Sequence, residues 1–318
     1  MKLVIQIPCY NEEKNISDTL NAIPSQIDGV DEIIKLVIDD GSFDRTSEVA
    51  KENGASFVVK LRHNMGLAKA FQAGLKESLN LGADIVVNTD GDNQYNADDI
   101  KHLIEPIING GADFVVGCRP IKNHPEFTKT KILMQLIGSW VLRKISKTDI
   151  PDAASGFRAY SRETCLKLNI YTSFSHCMET LIQAGNSGLK LSWVDIRVNS
   201  KTRDSRLFSS IPQYIFKSAK TIIYMACIYS PGRFFGALGI SSILPAIFLA
   251  IRFLILEVTG LRNPGTHLPS LILFSVFSIT GLLLLTLATI GELLRTHRKL
   301  NEEILYQQKK QNFINKRY

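Results

Sequence analysis

The chain is poor in the residues that make disulfide or soft-metal chemistry: 318 residues carry five cysteines and six histidines. Cys9, Cys118, Cys165, Cys177 and Cys227 show no close pairing and no zinc-ligand spacing. That excludes a disulfide framework and fits a reducing compartment. The histidines are scattered and form no ligand cluster. The apolar run in Met1–Ile5 is far too short for a signal peptide and reads as the start of a strand. No basic stripe with interleaved aromatics occurs, so the net charge of +7 does not point to nucleic acid. Internal repeats and low-complexity segments are also missing.

Long uncharged stretches, by contrast, are present. Phe234–Ile251 runs for 18 residues without a charge and continues past Arg252 through Phe253–Leu256, while Leu268–Gly291 adds another 24. At about 1.5 Å per helical residue, each is about long enough to cross a ~30 Å hydrocarbon core. Two such runs joined by a short loop read as a transmembrane hairpin rather than as two helices of a soluble core. Most of the basic excess flanks this hairpin: Lys217, Lys220 and Arg233 precede it, and Arg295, Arg298, Lys299, Lys309, Lys310, Lys316 and Arg317 follow it. In the connecting loop Arg262 is balanced by Glu257. The positive-inside rule then puts both termini and the soluble portion in the cytosol, on an integral protein of the cytoplasmic (inner) membrane. The basic flanks suit anionic headgroups. The expected organisation is a soluble domain at 1–210, an amphipathic juxtamembrane helix at 211–233, a hairpin at 234–294 (spans about 234–256 and 268–291), and a polar tail at 295–318, helical at first and then frayed.

The first 120 residues alternate short apolar runs with amphipathic stretches. Strands are expected at Lys2–Pro8, Ile33–Ile38, Ser56–Leu61, Ile85–Asn88 and Phe114–Gly117, with a late one at Leu189–Val198. Helices are expected near Glu13–Ile23, Asp44–Asn53, Leu67–Leu81 and Ala97–Ile108. Asn53–Gly54 and Asn109–Gly110–Gly111 act as stop signals. This alternation argues an α/β fold with a doubly wound, mostly parallel sheet. Ligands of such sheets bind beyond the carboxyl ends of the strands. Further on, Phe127–Ser146 carries an apolar stripe (Ile132, Leu133, Leu136, Ile137, Trp140, Val141) between Lys129, Lys131, Arg143 and Lys144. It reads either as a helix lying on a membrane face or as a core helix.

Three strand ends are acidic. Glu12 and Glu13 follow the first strand, Asp39 and Asp40 end the second, and Asp90–Gly91–Asp92 follows Ile85–Asn88. Carboxylates gathered at neighbouring strand ends repel unless a cation or hydrogen-bond donors sit between them. Two of them at alternate positions can converge on one hard cation that still shares its remaining positions with phosphate oxygens. A nucleotide answers this demand: ribose hydroxyls and base N–H groups donate to Asp39 and Glu12, and a divalent ion joins Asp92 to a pyrophosphate.

Four segments taken in order carry a family resemblance: Pro8–Cys9–Tyr10–Asn11–Glu12–Glu13, Asp39–Asp40–Gly41–Ser42–Phe43–Asp44–Arg45–Thr46, Asn64–Met65–Gly66–Leu67–Ala68–Lys69–Ala70 and Asp90–Gly91–Asp92–Asn93–Gln94. They resemble the motifs of family 2 glycosyltransferases with the Rossmann-like GT-A fold. Val115–Val116–Gly117–Cys118–Arg119 and Ser155–Gly156–Phe157–Arg158 make the chain similar to the dolichol-phosphate mannose synthase and bacterial polyprenyl-phosphate glycosyltransferase branch. The match covers about residues 1–210, and the hairpin resembles that of bacterial members with two C-terminal spans. The resemblance implies that Pro8, Tyr10, Glu12 and Asp39 contact the nucleoside, that Asp90, Asp92 and Gln94 surround the diphosphate and a Mg2+ or Mn2+ ion, and that Arg119 lies near the acceptor phosphate. Gly91 stands where the family usually has alanine, and Ala68 where it often has glycine. Lys129 and Lys131 occupy a helix where relatives often carry arginine. Lys201–Thr202–Arg203–Asp204–Ser205–Arg206 matches a late Arg, Gly, Ser and Lys pattern loosely.

The implied partners are a nucleoside-diphosphate sugar, a polyprenyl phosphate and membrane lipids, with room for a homo-oligomer. The implied reaction is inverting. A phosphate monoester is already largely ionised at neutral pH, with a second pKa of about 6. Such a nucleophile needs cations to hold it rather than a base, and Arg119, Lys129, Lys131 and Arg203 are the candidates. A rival reading has a sugar hydroxyl as acceptor and Asp152 or Glu179 as the base. Processive enzymes of that kind carry Gln-x-x-Arg-Trp, whereas Trp140 and Trp193 here follow Ser139 and Ser192. A sugar nucleotidyltransferase would show a glycine-rich basic loop after the first strand. A non-catalytic membrane scaffold with a nucleotide-sensing domain would not hydrolyse a nucleotide sugar.

Overall fold

Strand β1 (Lys2–Cys9) is buried at every position after Lys2, and β4 (Ile85–Asn88) is buried throughout. Near-continuous apolar runs of this kind suit strands covered by helices on both faces. With β2 (Glu32–Asp39), β3 (Phe57–Lys60), β5 (Phe114–Cys118), β6 (Arg158–Ser161) and β7 (Leu191–Asp195) they form one seven-stranded sheet in the order β3-β2-β1-β4-β6-β5-β7. All neighbouring pairs run parallel except those made by β6, which is antiparallel to both β4 and β5. The expected mostly parallel sheet is therefore present, and β6 is the element not expected from the sequence. It is four residues long and begins on an arginine, so it offers no apolar run of strand length.

The computed structural model describes residues 1–121, 129–171, 176–199, 211–259 and 268–314. Helices α1 (Ile16–Ala22), α2 (Thr46–Glu52), α3 (Leu67–Asn80) and α4 (Ile100–Ile108) follow β1 to β4 in turn, close to their expected places. A single 3-10 turn, Ala97–Asp99, leads into α4, and Asn96 accepts the Asp98 N–H across it (3.0 Å). Leu3, Ile5, Ile7, Val37, Ile85 and Val87 pack against Ile16, Leu20, Ile100, Leu103 and Ile104 on one face of the sheet. On α3, Ala68, Ala70, Phe71, Leu75 and Leu79 are buried, and the helix lies against β1 and β2. Helices α5 (Lys129–Ser146), α6 (Arg162–Lys167) and α7 (His176–Asn186) complete the domain. On α5, Leu133, Ile137 and Trp140 are exposed while Gln135 and Ser139 are buried, so its stripe does not all face a core.

Helices α8 (Ile211–Tyr229), α9 (Pro231–Val258) and α10 (Leu268–Ile314) follow. The chain divides into one compact unit of Met1–Ile222 with Glu303–Tyr318 and a second of Ile223–Glu302. In the second unit, α9 and the apolar part of α10 are long and apolar enough to cross a membrane, and only 11% of each apolar window is buried. They are therefore not helices of a buried soluble core. The two meet through small residues: a methyl group on Gly281 would lie 2.5 Å from Ile243 Cγ1 and 3.2 Å from the Gly239 carbonyl.

In the first unit, the end of α10 is docked rather than frayed through Ile314. Lys309 Nζ donates to the Leu168 carbonyl (2.8 Å) and to Asn169 Oδ1 (2.9 Å), which satisfies the carbonyl end of α6. Arg162 Nη2 donates to the Phe313 carbonyl (2.7 Å), and the Lys167 ammonium lies 5.5 Å from the buried Tyr306 ring.

Candidate active site

Because β2, β1 and β4 are adjacent and parallel, their carboxyl ends open on one edge. Cys9 is in register with Asp39, and Gln6 with Asn88. The acidic segments after these strands consequently lie side by side, as their positions in the sequence imply.

The β1 and β2 loops are stitched together by side chains. Asn11, at φ 54°, donates its N–H to Ser42 Oγ (2.8 Å) and accepts the Phe43 N–H (3.0 Å). Glu12 N–H donates to Thr46 Oγ1 (2.8 Å), and the buried Glu12 carboxylate accepts from Asn15 Nδ2 (2.9 Å). Asp39 is fully buried. It accepts the Ser42 N–H on Oδ1 (2.8 Å) and the Ser47 hydroxyl on Oδ2, with Lys60 Nζ 3.7 Å away. Asp40 turns the other way and accepts the Met65 and Gly66 N–H groups (2.8 Å each); burial raises its pKa above the usual carboxylate value. Pro8, Tyr10, Glu12 and Asp39 thus lie together at the adjacent ends of β1 and β2, with the Tyr10 and Phe43 rings edge to face at 6.4 Å.

The floor is the segment after β4. Asp90 is pushed up to about 7, first by burial and then by the charge of Asp92. The two carboxylates stand two residues apart at the end of one strand, and carboxylates so placed are hard-oxygen donors of the kind a divalent cation takes. Gln94 donates its N–H to Asp92 Oδ1 (3.3 Å), so all three expected residues belong to one turn. Among the described residues no cluster of three or more His, Cys, Asp or Glu is placed to hold a metal. Asp90 and Asp92 are the residues that would hold a divalent ion, as hard-oxygen ligands.

Arg119 follows β5 and is brought to the same edge. Its Nε and Nη2 donate to Asp152 Oδ2 (2.7 Å) and Oδ1 (3.1 Å), and its own N–H donates to Oδ2 (3.3 Å). The arginine side chain is 19% exposed and the carboxylate 0%. Burial opposes both charges. The pairing outweighs it, leaving Arg119 above and Asp152 below their ordinary pKa values. Gln135 on α5 adds a bond to Asp152 (3.1 Å). Glu179 is also buried and occupied, accepting the Tyr171 N–H (2.8 Å) and lying 3.4 Å from Gln183 Nε2. Arg203 lies outside the described residues, as do the side chains of Lys129 and Lys131.

Three residues that shape this floor were not singled out for it by sequence. Tyr95 stacks on Phe157 (5.1 Å) and accepts the Gly156 N–H (3.0 Å). Asn88 donates to the Gly156 carbonyl (2.8 Å) and accepts from Gln6 (2.9 Å). Arg158, wholly buried, donates to the carbonyls of Ala153, Ser155 and Cys177 and to the Thr180 hydroxyl at 2.7–2.8 Å. A polar residue at the end of an apolar strand sequence was the available signal for Asn88, and for Arg158 it was the Ser155–Gly156–Phe157–Arg158 segment that carries the family resemblance.

Comparison with known proteins gives the family and the fold. The sequence model described as glycosyl transferase family 2 matches residues 4–168. A UDP-N-acetylglucosamine–dolichyl-phosphate N-acetylglucosaminyltransferase of Methanococcus voltae is 35% identical over 213 residues, covering 60% of this chain and 83% of the relative. A dolichol-phosphate mannosyltransferase of Pyrococcus furiosus is 35% identical over 195 residues, covering 58% of this chain and 53% of the relative. Among solved structures, glucosyl-3-phosphoglycerate synthase of Mycobacterium tuberculosis with Mn2+, UDP and glucosyl-3-phosphoglycerate superposes with a TM-score of 0.54 at 21% identity. It covers 70% of this chain and 78% of its own. That likeness shows the GT-A fold.

Proposed function

The chain belongs to glycosyl transferase family 2, and from that premise we propose that it moves a sugar from a nucleoside diphosphate to a polyprenyl phosphate at the cytoplasmic face of a membrane. The observation that carries this choice of acceptor is the state of the two carboxylates a hydroxyl acceptor would call on. Asp152 is locked by Arg119 and held below the usual carboxylate range, and Glu179 is buried against Tyr171 and Gln183. Asp152 in that state is a poor base for a sugar hydroxyl, and Glu179 already accepts the Tyr171 N–H. A phosphate monoester has no such need. The names of the Methanococcus and Pyrococcus relatives carry the same acceptor class.

In this reading Pro8, Tyr10, Glu12 and Asp39 hold the nucleoside, and Asp90, Asp92 and Gln94 hold the diphosphate end through Mg2+ or Mn2+. The bound ion supplies charge stabilisation to the departing β-phosphate oxygen. The M. tuberculosis neighbours were crystallised with Mn2+ or Mg2+ and UDP. Arg119 faces the acceptor phosphate with its plane fixed by Asp152. Because that partner offsets part of its charge, Lys129, Lys131 and Arg203 supply the remaining positive field. The phosphate oxygen then attacks the anomeric carbon opposite the diphosphate, inverting the centre. The two apolar helices keep the chain in the bilayer that holds the polyprenyl tail.

The test is to incubate membranes containing the protein with a panel of labelled nucleotide sugars and polyprenyl phosphate, then extract the lipid. An organic-soluble product that mild acid releases as free sugar is expected, and only with a divalent ion present. Label appearing solely in an acid-resistant glycoside would point to a hydroxyl acceptor instead.

A further inference from the structure

Strand β6 runs against its neighbours, so the loop before it enters the sheet at the edge where β4 and β5 end. This loop, Asp152–Phe157, touches both halves of the site. At one end Asp152 grips Arg119. At the other, Gly156 lies so close to Asp90 that a methyl group there would sit 3.3 Å from Oδ1 and 3.5 Å from Oδ2. Its peptide is held on both sides, by Tyr95 Oη and by Asn88.

Between those ends the loop is fastened by Arg158. Its Nε donates to the Ser155 carbonyl (2.7 Å) and Nη2 to the Ala153 carbonyl (2.8 Å). Its Nη1 reaches α7, donating to the Cys177 carbonyl (2.7 Å) and Thr180 Oγ1 (2.8 Å). These partners are all neutral, although the side chain is wholly buried. A buried guanidinium on neutral oxygens recovers its desolvation poorly, so stability alone is a weak reason for an arginine here. A rigid planar fork does what no apolar side chain can: it fixes the spacing of several carbonyls at once.

We propose that Arg158 is a positioning residue that holds the Asp152–Gly156 loop so that Arg119 and Asp90 keep a fixed separation, which sets acceptor phosphate and donor sugar in register. The proposal rests on the reading of Arg119 as an acceptor ligand and Asp90 as a donor-side ligand. In-line transfer between two bound reactants is sensitive to such register, with a misplacement of about 1 Å costing about 100-fold. Water attacking the donor needs no register with Arg119.

The experiment compares full-length wild type, Arg158→Lys and Thr180→Val in membranes, using the nucleotide sugar the wild type accepts. Transfer to polyprenyl phosphate and hydrolysis of the donor without acceptor are both measured per folded protein. Arg158→Lys should lower the ratio of transfer to hydrolysis by about 10- to 100-fold, transfer falling much further than hydrolysis. Thr180→Val, which removes one bond to the fork and keeps the side-chain shape, should move the ratio the same way by less. Parallel loss of both activities, or an unchanged ratio in folded Arg158→Lys, overturns the proposal. If Arg158→Lys does not fold, an unchanged ratio in Thr180→Val overturns it. Wild-type protein that hydrolyses the donor but never glycosylates polyprenyl phosphate overturns the acceptor reading and the proposal together. Wild-type transfer with no loss of coupling in the variants overturns the proposal alone.

Discussion

Asp92 and Arg119 mark the two sides of the cleft, and each supports a separate substitution. Asp92 lies in the turn with Gln94 and raises the pKa of Asp90, so it stands where a shared cation would be bound. Asp92→Asn should abolish transfer and leave the circular dichroism spectrum unchanged, because the hard-cation site loses a charged oxygen ligand. Near-normal turnover with Mg2+ or Mn2+ in that variant would remove the metal assignment. Arg119→Ala should lower kcat/KM for polyprenyl phosphate by about 10- to 150-fold, the equivalent of one charge-assisted contact. Donor affinity should barely change. Because Asp152 would be left buried without its counter-charge, the variant should also lose stability, and rates need normalising to folded protein. Lysine should recover only part, since an ammonium does not reproduce the two-pronged pairing with Asp152. Weakened nucleotide-sugar binding with unchanged acceptor dependence would reverse the placement of the two substrates. At this scale the sequence was legible where a motif is local: Asp90, Asp92 and Gln94 share one turn. The Arg119–Asp152 pair was not legible, because 33 positions and the whole of helix α5 separate its members. Nor was the tightness at Gly91, where a methyl group would lie 3.0 Å from Cys9 Cβ, so the departure from alanine is matched to its neighbour.

Whole elements were legible in proportion to their periodicity. Strands β1, β2 and β4 and helices α3 and α4 follow from apolar runs and stop signals, whereas β6 and α6 are too short to carry a period of their own. Helix α7 illustrates what burial adds. Its first residue, His176, stacks on Phe71 of α3 at 4.1 Å, and Nε2 lies 3.4 Å from Cys177 Sγ. Burial, followed by the charge of Arg158 on β6, lowers its pKa to about 3, against the opposing pull of Asp90 and Glu179. The folded chain thus keeps this imidazole neutral while the unfolded chain protonates it at about 6.5. Between those values the unfolded state binds the extra proton, so stability falls as pH falls. From pH 7 to pH 5 the contribution is about 2 kcal/mol, the shift below 6.5 taken at about 1.4 kcal/mol per unit. His176→Phe, which keeps a ring against Phe71, should flatten the acid side of the unfolding free energy against pH, read from denaturant titrations, by that amount. Equal acid slopes for the two proteins would show that His176 does not titrate between the folded and unfolded states.

For the molecule as a whole, the decisive feature is where the chain returns after its two apolar helices. The charge pattern of the sequence implies that both ends lie on one side of the membrane, with most of the Arg and Lys excess outside the hairpin and Arg262 offset by Glu257 within it. The docked end of α10 is an independent argument of a different kind. Lys309 and Phe313 bond to the loop and helix that follow β6, and Tyr306 is buried under Lys167. Residues that follow an even number of crossings can make those contacts. Residues that follow a single crossing cannot, since they would emerge on the far side. Polarity alone gave the tail no reason to stay folded, because its docking depends on the carbonyl end of α6, an element too short to be read from sequence. A double variant, Lys167→Cys with Tyr306→Cys, should accordingly be joined by a short bismaleimide in sealed membranes, and either single variant should not. In intact cells a cysteine placed at Asn263, which lies outside the described residues, should react with a membrane-impermeant maleimide. One placed at Lys310 should react only after lysis. Labelling of both positions in intact cells, or of neither, combined with no cross-link in the double variant, would exclude the hairpin and with it a catalytic domain facing the cytosolic pool of nucleotide sugars.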